Sequence, residues 1–166
     1  MDKIKVAIIG ATGVVGQQFI FALHDHPWFT ISSLSASSES SSKSYRSALR
    51  DSKTGALRWF SSEPPPSSVL ELPVSDIQSI DLNNIDLVFT AVSTQIARRI
   101  EGGLAKDILV ISTARAYRYE SDIPIILPGI NLSHASLIPV QQNGKISFYF
   151  PKKSPSTTLT GLVYRL

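Results

Sequence analysis

The sequence predicts an α/β fold, a Rossmann-type doubly wound parallel sheet with flanking helices, and three observations carry the prediction. Ile4, Val6, Ala7, Ile8 and Ile9 form a nearly continuous apolar, β-branched run, which suits a parallel strand covered on both faces. Gly10, Gly13 and Gly16 follow in G-x-x-G-x-x-G spacing, the arrangement that turns a strand tightly into a helix and brings backbone close to a ligand. Farther along, short apolar runs alternate with segments of helical periodicity, the signature of βαβ units.

The first unit is the most informative. Beyond Gly13, Val15, Phe19 and Ala22 recur at helical spacing and give the helix an apolar face. Free N–H groups of that helix's first turn, with the positive end of its dipole, would hold a pyrophosphate. The Thr12 hydroxyl is expected either to cap the helix or to donate to a phosphate.

Composition narrows the classes. With 166 residues and 43% hydrophobic content the chain can build a core. No apolar run reaches about 18 residues, and no basic segment followed by an apolar core opens the chain, so the expectation is a cytoplasmic protein with no membrane span. Lys+Arg 16 against Asp+Glu 13 leaves +3 with basic residues scattered except near the C-terminus, weak support for a nucleic-acid surface that an anionic small ligand explains equally well, so no nucleic-acid partner is expected. Cysteine is absent, which removes disulfides, thiolate metal sites and a cysteine nucleophile together.

In order along the chain, His24, Asp25, His26 and Pro27 close the first helix. No third ligand group follows nearby, so the two histidines predict a solvated helix end and no metal. Phe29 to Leu34 predicts the second strand. A carboxylate near its end would suit the 2′-hydroxyl of NAD, whereas this end carries Ser35, Ser37, Ser38 and Ser40 with Lys43 close by. Those hydroxyls and the ammonium suit a 2′-phosphate, so the cofactor expected is NADP; Glu39 points the other way, as does reading the serines as a flexible linker. Trp59 and Phe60 are expected as apolar anchors, Ser61 to Ser68 as a proline-rich excursion, Val69 to Val74 as a strand and Asp76 to Ile80 as a helical turn. Asp86 to Ala91 predicts a buried strand. Ser93 opens a helix through Ala97, Ile100 and Leu104 that Gly102 and Gly103 interrupt or end, and Ile108 to Ser112 is the next strand. Ala91, Ser93, Ser112 and Thr113 then lie at carboxyl ends of strands, where ligands bind in such sheets.

Four ordered motifs over residues 3 to 142 resemble the aspartate-semialdehyde dehydrogenase family in its archaeal and fungal branch: GATGVVGQQF, ASSESSSKSY, FTAVSTQIA and AYRYESDIPIILPGIN. The resemblance implies reduction of β-aspartyl phosphate by NADPH to aspartate semialdehyde, on the route to lysine, methionine and threonine. It implies an acyl phosphate or aldehyde as substrate, a homo-oligomer in the family, the pyrophosphate at Thr12 to Val15, the 2′-phosphate at Ser40, and the substrate phosphate at Arg118, whose planar fork of donors suits that role. An ion pair of Arg118 with Glu120 or Asp122 is the alternative.

Departures from the family accumulate near the implied site. Glu39 stands where the family has arginine, Thr113 where it has asparagine, Arg115 where it has a small hydroxyl residue, and Gly129 where it has glutamate. The family's N-x-N-C-S-T-T carries the thiolate that forms a thioester; here the strand expected at Ile146 to Phe150 leads into PKKSPSTTLTGLVYRL, and aligning Ser156, Thr157 and Thr158 puts Pro155 at the nucleophile. Ser154 is the substitute nucleophile to weigh, and no histidine follows His134 to act as its base. The organisation expected is a cofactor domain over residues 1–150 and an irregular tail over 151–166, as in a truncated or frame-altered product. Two other readings stand beside it: a non-catalytic nucleotide-binding or interaction module that kept the fold, and a relative of acetylglutamyl-phosphate reductase, which shares scaffold and chemistry.

Overall fold

The computed structural model describes residues 2–127, 130–141 and, in backbone only, 147–149. They fall into two compact units, Met1–Asp86 and Leu87–Leu166. The fold is the α/β class that the sequence predicts, parallel strands alternating with helices.

The first unit holds β1 (Ile4–Ile9), α1 (Val14–Leu23), β2 (Phe29–Ala36), β3 (Lys43–Ser44), α2 (Tyr45–Ala48), α3 (Ser67–Leu70) and β4 (Pro73–Asp76). Its strands lie in the order β3, β4, β2, β1; β1, β2 and β4 are parallel, and β3 runs antiparallel to β4. Val6, Ala7, Ile8 and Ile9 are fully buried, and each valine or isoleucine so removed from water contributes about 1.5–3 kcal/mol. Phe19, Ile20 and Leu23 are the fully buried apolar residues of α1. β2 continues two residues beyond Leu34, so Ser35 is a buried member of the strand, paired with Ile9, and no part of the loop. The unit closes at Asp86, where Lys5 and Asp86 exchange bonds: the Lys5 N–H donates to the carboxylate and the Asp86 N–H to the Lys5 carbonyl.

Three expectations are corrected in this unit. Val69 and Leu70 are helical, in α3, and the strand starts only at Pro73: Pro66 ends the extended prolines, both apolar side chains are buried from one turn, and the Leu72 N–H closes it on the Val69 carbonyl. Phe60 is 56% exposed and so is no buried anchor; its N–H is held by Gln17. The end of α1 is not wholly solvated, because His26 is buried with its ring 4.9 Å from that of Phe29. Among the described residues no group of three or more histidines and carboxylates is placed to hold a metal.

The second unit holds β5 (Leu87–Thr90), α4 (Thr94–Leu104), β6 (Leu109–Ser112) and β7 (Ser147–Tyr149), with the three strands parallel in the order β5, β6, β7. β5 is buried throughout, as its unbroken apolar run demands. α4 begins where Ser93 predicts, with the Ser93 hydroxyl accepting from the Ile96 N–H. It passes through Gly102 and Gly103 to Leu104. Two exposed glycines cost such a helix about 1 kcal/mol each, and burial of Glu101 and Ala105 on either side, with the Ala105 N–H on the Glu101 carbonyl, carries it across them. Among the described residues no helix is long and apolar enough to cross a membrane.

Candidate functional site

The glycine turn is built from the strand outward. Gly10 leaves β1 with φ +85°, a left-handed conformation that glycine adopts without strain, and the N–H groups of Gly10 and Ala11 both donate to the Ser35 carbonyl, at 2.8 and 3.0 Å. This pins the turn to the end of β2. Gly16 is dictated by packing: a Cβ there would lie 2.1 Å from the Gly10 carbonyl oxygen. Gly13 is different. A Cβ on Gly13 would meet only the Gly10 oxygen, at 3.4 Å, so the chain's own packing permits a side chain at the one position of the turn where α1 begins.

Gly13 is the N-cap of α1 and no side chain caps the helix. The Thr12 hydroxyl therefore does not cap it, which corrects one of its two expected roles. The first turn holds no acidic residue, and Val14 within it is 53% exposed while Val15 is half-buried. An uncapped, acid-free helix start behind an open glycine presents a positive dipole end that favours negative charge.

The serine segment leaves the neighbouring strand at the same carboxyl edge. Ser37 precedes a 3₁₀ turn over Ser38–Ser40, closed by the Ser40 N–H on the Ser37 carbonyl at 2.8 Å. Ser37 is exposed and Ser40 half-buried. Lys43 is exposed in β3, with its ammonium donating to the Glu39 backbone carbonyl at 2.7 Å, so Lys43 and Glu39 stand together at the rim. Thus the first unit brings Gly10, Thr12, Gly13, Val14 and Val15 to one edge with Ser37, Ser40 and Lys43.

Two buried side chains that the sequence reading passed over shape this edge. Gln17, fully buried in α1, donates through its amide to the Thr12 and Arg58 carbonyls at 3.0 and 2.7 Å and accepts from the Phe60 N–H at 2.8 Å. Tyr45, fully buried at the start of α2, donates its hydroxyl to the Ala11 carbonyl at 2.8 Å. A glutamine on an otherwise apolar helix face was the legible signal for the first. For the second there was none beyond the tyrosine that ends the SSKSY stretch.

In the second unit Ala91 follows β5, and Ser93 is engaged as the α4 cap. Thr113, just past β6, donates from both its N–H and its hydroxyl to the Thr90 carbonyl, at 3.1 and 3.2 Å, tying the two strand ends together. Beneath them lies an unexpected carboxyl. Glu101 is 1% exposed; its Oε1 accepts from the Thr90 hydroxyl at 2.5 Å and the Ser112 hydroxyl at 2.6 Å, and its Oε2 is buried with no hydrogen-bond partner. Burial pushes its carboxyl above the usual range, against the opposing pull of the Ser112 and Thr90 hydroxyls. The Ser112 oxygen also accepts from the Ala114 N–H, so this cluster sets the direction in which the chain leaves β6. Arg118 is half-buried in the turns that follow, where Ala114 and Ala116 pack on Ala97 and the Tyr117 hydroxyl donates to the Arg98 carbonyl. Pro155, Ser154, Gly129 and the whole segment 151–166 lie outside the described residues.

Comparison with known proteins decides the family. Residues 5–138 match the family described as semialdehyde dehydrogenase, NAD binding domain. The chain belongs to this family. As a semialdehyde dehydrogenase NAD-binding domain it has archaeal and fungal relatives, the branch its motifs indicate. The aspartate-semialdehyde dehydrogenase of Methanothermobacter thermautotrophicus is 34% identical over 139 residues, which cover 84% of this chain and 38% of that protein. That of Archaeoglobus fulgidus is 34% identical over 167 residues, 99% of this chain and 46% of the other. The crystal structure of the Candida albicans aspartate-semialdehyde dehydrogenase with NADP superposes with a TM-score of 0.76 at 28% identity, over 89% of this chain and 42% of that one. The chain therefore spans less than half the length of these relatives. Its cofactor class is the nicotinamide dinucleotides.

Proposed function

We propose that residues 1–150 bind NADP as the cofactor domain of an aspartate-semialdehyde dehydrogenase, in the cytoplasm, with Gly10 to Val15 at the pyrophosphate and Ser37, Ser40 and Lys43 at the 2′-phosphate. The observation that carries the reading is Gly13: this turn tolerates a Cβ by its own packing, yet presents glycine at an uncapped helix start free of carboxylates. Such a position serves the approach of an external anion. The NADP of the Candida albicans relative supports the choice of cofactor.

When bound, the cofactor supplies the hydride of the family's reduction. On this reading Ala91 and the capped turn at Ser93 border the nicotinamide, and Arg118 offers two parallel N–H donors to the phosphate of an acyl-phosphate substrate. Glu101, through Thr90 and Ser112, holds the ends of β5 and β6 on which those loops are mounted. The sequence contains no cysteine, so this chain supplies binding and orientation and no thiolate for acyl transfer.

Calorimetric titration of the purified chain tests the reading. NADP should bind more tightly than NAD, and Glu39→Arg should widen the difference by adding a cation beside the 2′-phosphate. Equal affinity for both dinucleotides would refute the 2′-phosphate site, and no affinity for either would refute the reading altogether.

A further inference from the structure

A phosphate loop must offer N–H groups to its anion and keep its carbonyls away from it. In this turn all three carbonyls ahead of α1 are bonded inward, each by a different donor. The Gly10 carbonyl accepts from the Gly13 N–H at 3.1 Å, the Thr12 carbonyl from the Gln17 amide at 3.0 Å, and the Ala11 carbonyl from the Tyr45 hydroxyl at 2.8 Å. Only the last donor comes from a distant element.

Tyr45 is placed by the segment offered to the 2′-phosphate. The Ser42 N–H donates to the Val74 carbonyl, Lys43 and Ser44 pair with β4, and the Tyr45 N–H donates to the Leu72 carbonyl. Ser44 then caps α2, whose first residue is Tyr45. From there the side chain, fully buried, crosses to a carbonyl 34 residues earlier. Burial pushes its phenol upward, so it remains a donor across the whole working pH range. A phenylalanine would fill the same space; the hydroxyl is what reaches Ala11.

We infer that Tyr45 is a positioning residue of the cofactor site: by holding the Ala11 carbonyl inward it turns the Thr12 N–H outward to the pyrophosphate. The Ala11–Thr12 peptide is trans, so its C=O and N–H point to opposite sides. Released from Tyr45, that peptide can rotate and present its oxygen to the phosphate. This inference rests on the NADP reading above for its ligand, and on the apo loop alone for its geometry.

The test is Tyr45→Phe in the full chain, titrated with NADP, ADP and adenosine 2′-phosphate, alongside amide hydrogen exchange without ligand. NADP and ADP should each lose about fivefold in affinity, the equivalent of one hydrogen bond. Adenosine 2′-phosphate, which has no pyrophosphate, should change by less than about twofold. Exchange at residues 11–13 should quicken without nucleotide. Equal losses for all three nucleotides, or unchanged NADP affinity, would overturn the inference. If the wild-type chain binds no nucleotide, the cofactor reading fails and exchange alone decides, unchanged rates at residues 11–13 overturning the positioning role. Should Tyr45→Phe not fold, Tyr45→Met, which keeps reach and apolar bulk without a donor, carries the same comparison.

Discussion

Two neighbouring glycines of one turn are present for opposite reasons. A Cβ at Gly16 would sit 2.1 Å from the Gly10 oxygen and 2.9 Å from the Ala11 Cα, a clash with backbone on both counts. Gly16→Ala should therefore destabilise by about 1–3 kcal/mol despite the helix propensity gained, read as a lowered denaturation midpoint. Gly13→Ala should leave stability within about 0.5 kcal/mol and weaken NADP binding by about tenfold or more, since only a ligand competes for that space. The reverse pattern would mean that Gly13 serves the fold. Glu101 makes stability depend on pH. Its folded pKa lies above the ordinary value of 4.5, so the native state holds its proton more tightly than the unfolded chain. Stability from this group is fully present below pH 4.5 and is lost as pH rises through the raised folded value. Denaturant titrations across that interval should show wild-type stability falling with pH and Glu101→Gln removing that part of the slope; parallel curves for the two would show that Glu101 does not titrate as described.

At the level of elements, α1 is more than a cover for the sheet. Gln17 fixes three backbone groups from one buried position, joining the glycine turn at Thr12 to the excursion at Arg58 and Phe60. Gln17→Leu keeps volume and strands those groups in a buried setting, so a loss of about 2–4 kcal/mol is expected, with proteolytic cleavage in residues 51–66 as its local readout. Cleavage there at the wild-type rate would show that the excursion is held by something else. Periodicity made β1, α1, β5, the Ser93 cap and β6 legible, because each is a long apolar run or a helix with a polar cap at its start. It could not make α3 legible. Val69 and Leu70 read as strand by composition, and only the packing of one turn after Pro66 makes them helical. The candidate site divides the same way: glycines and serines announce themselves in sequence, while Tyr45, Gln17 and Glu101 act through contacts 34, 41 or 11 residues away that no local pattern encodes.

For the molecule as a whole, the family assignment and the departures from it belong together. The chain matches the NAD-binding domain over residues 5–138 and spans less than half of its relatives, and the sequence carries no thiol anywhere. The proposed cofactor site rests on the glycine turn, the uncapped start of α1 and the buried donors behind them. The most direct test is amide hydrogen exchange of the full chain with and without saturating NADP. Protection should concentrate at residues 10–16 and 37–43, with NAD protecting the first segment more than the second. Protection absent from residues 10–16, or centred on any other part of the chain, would contradict the proposed cofactor site.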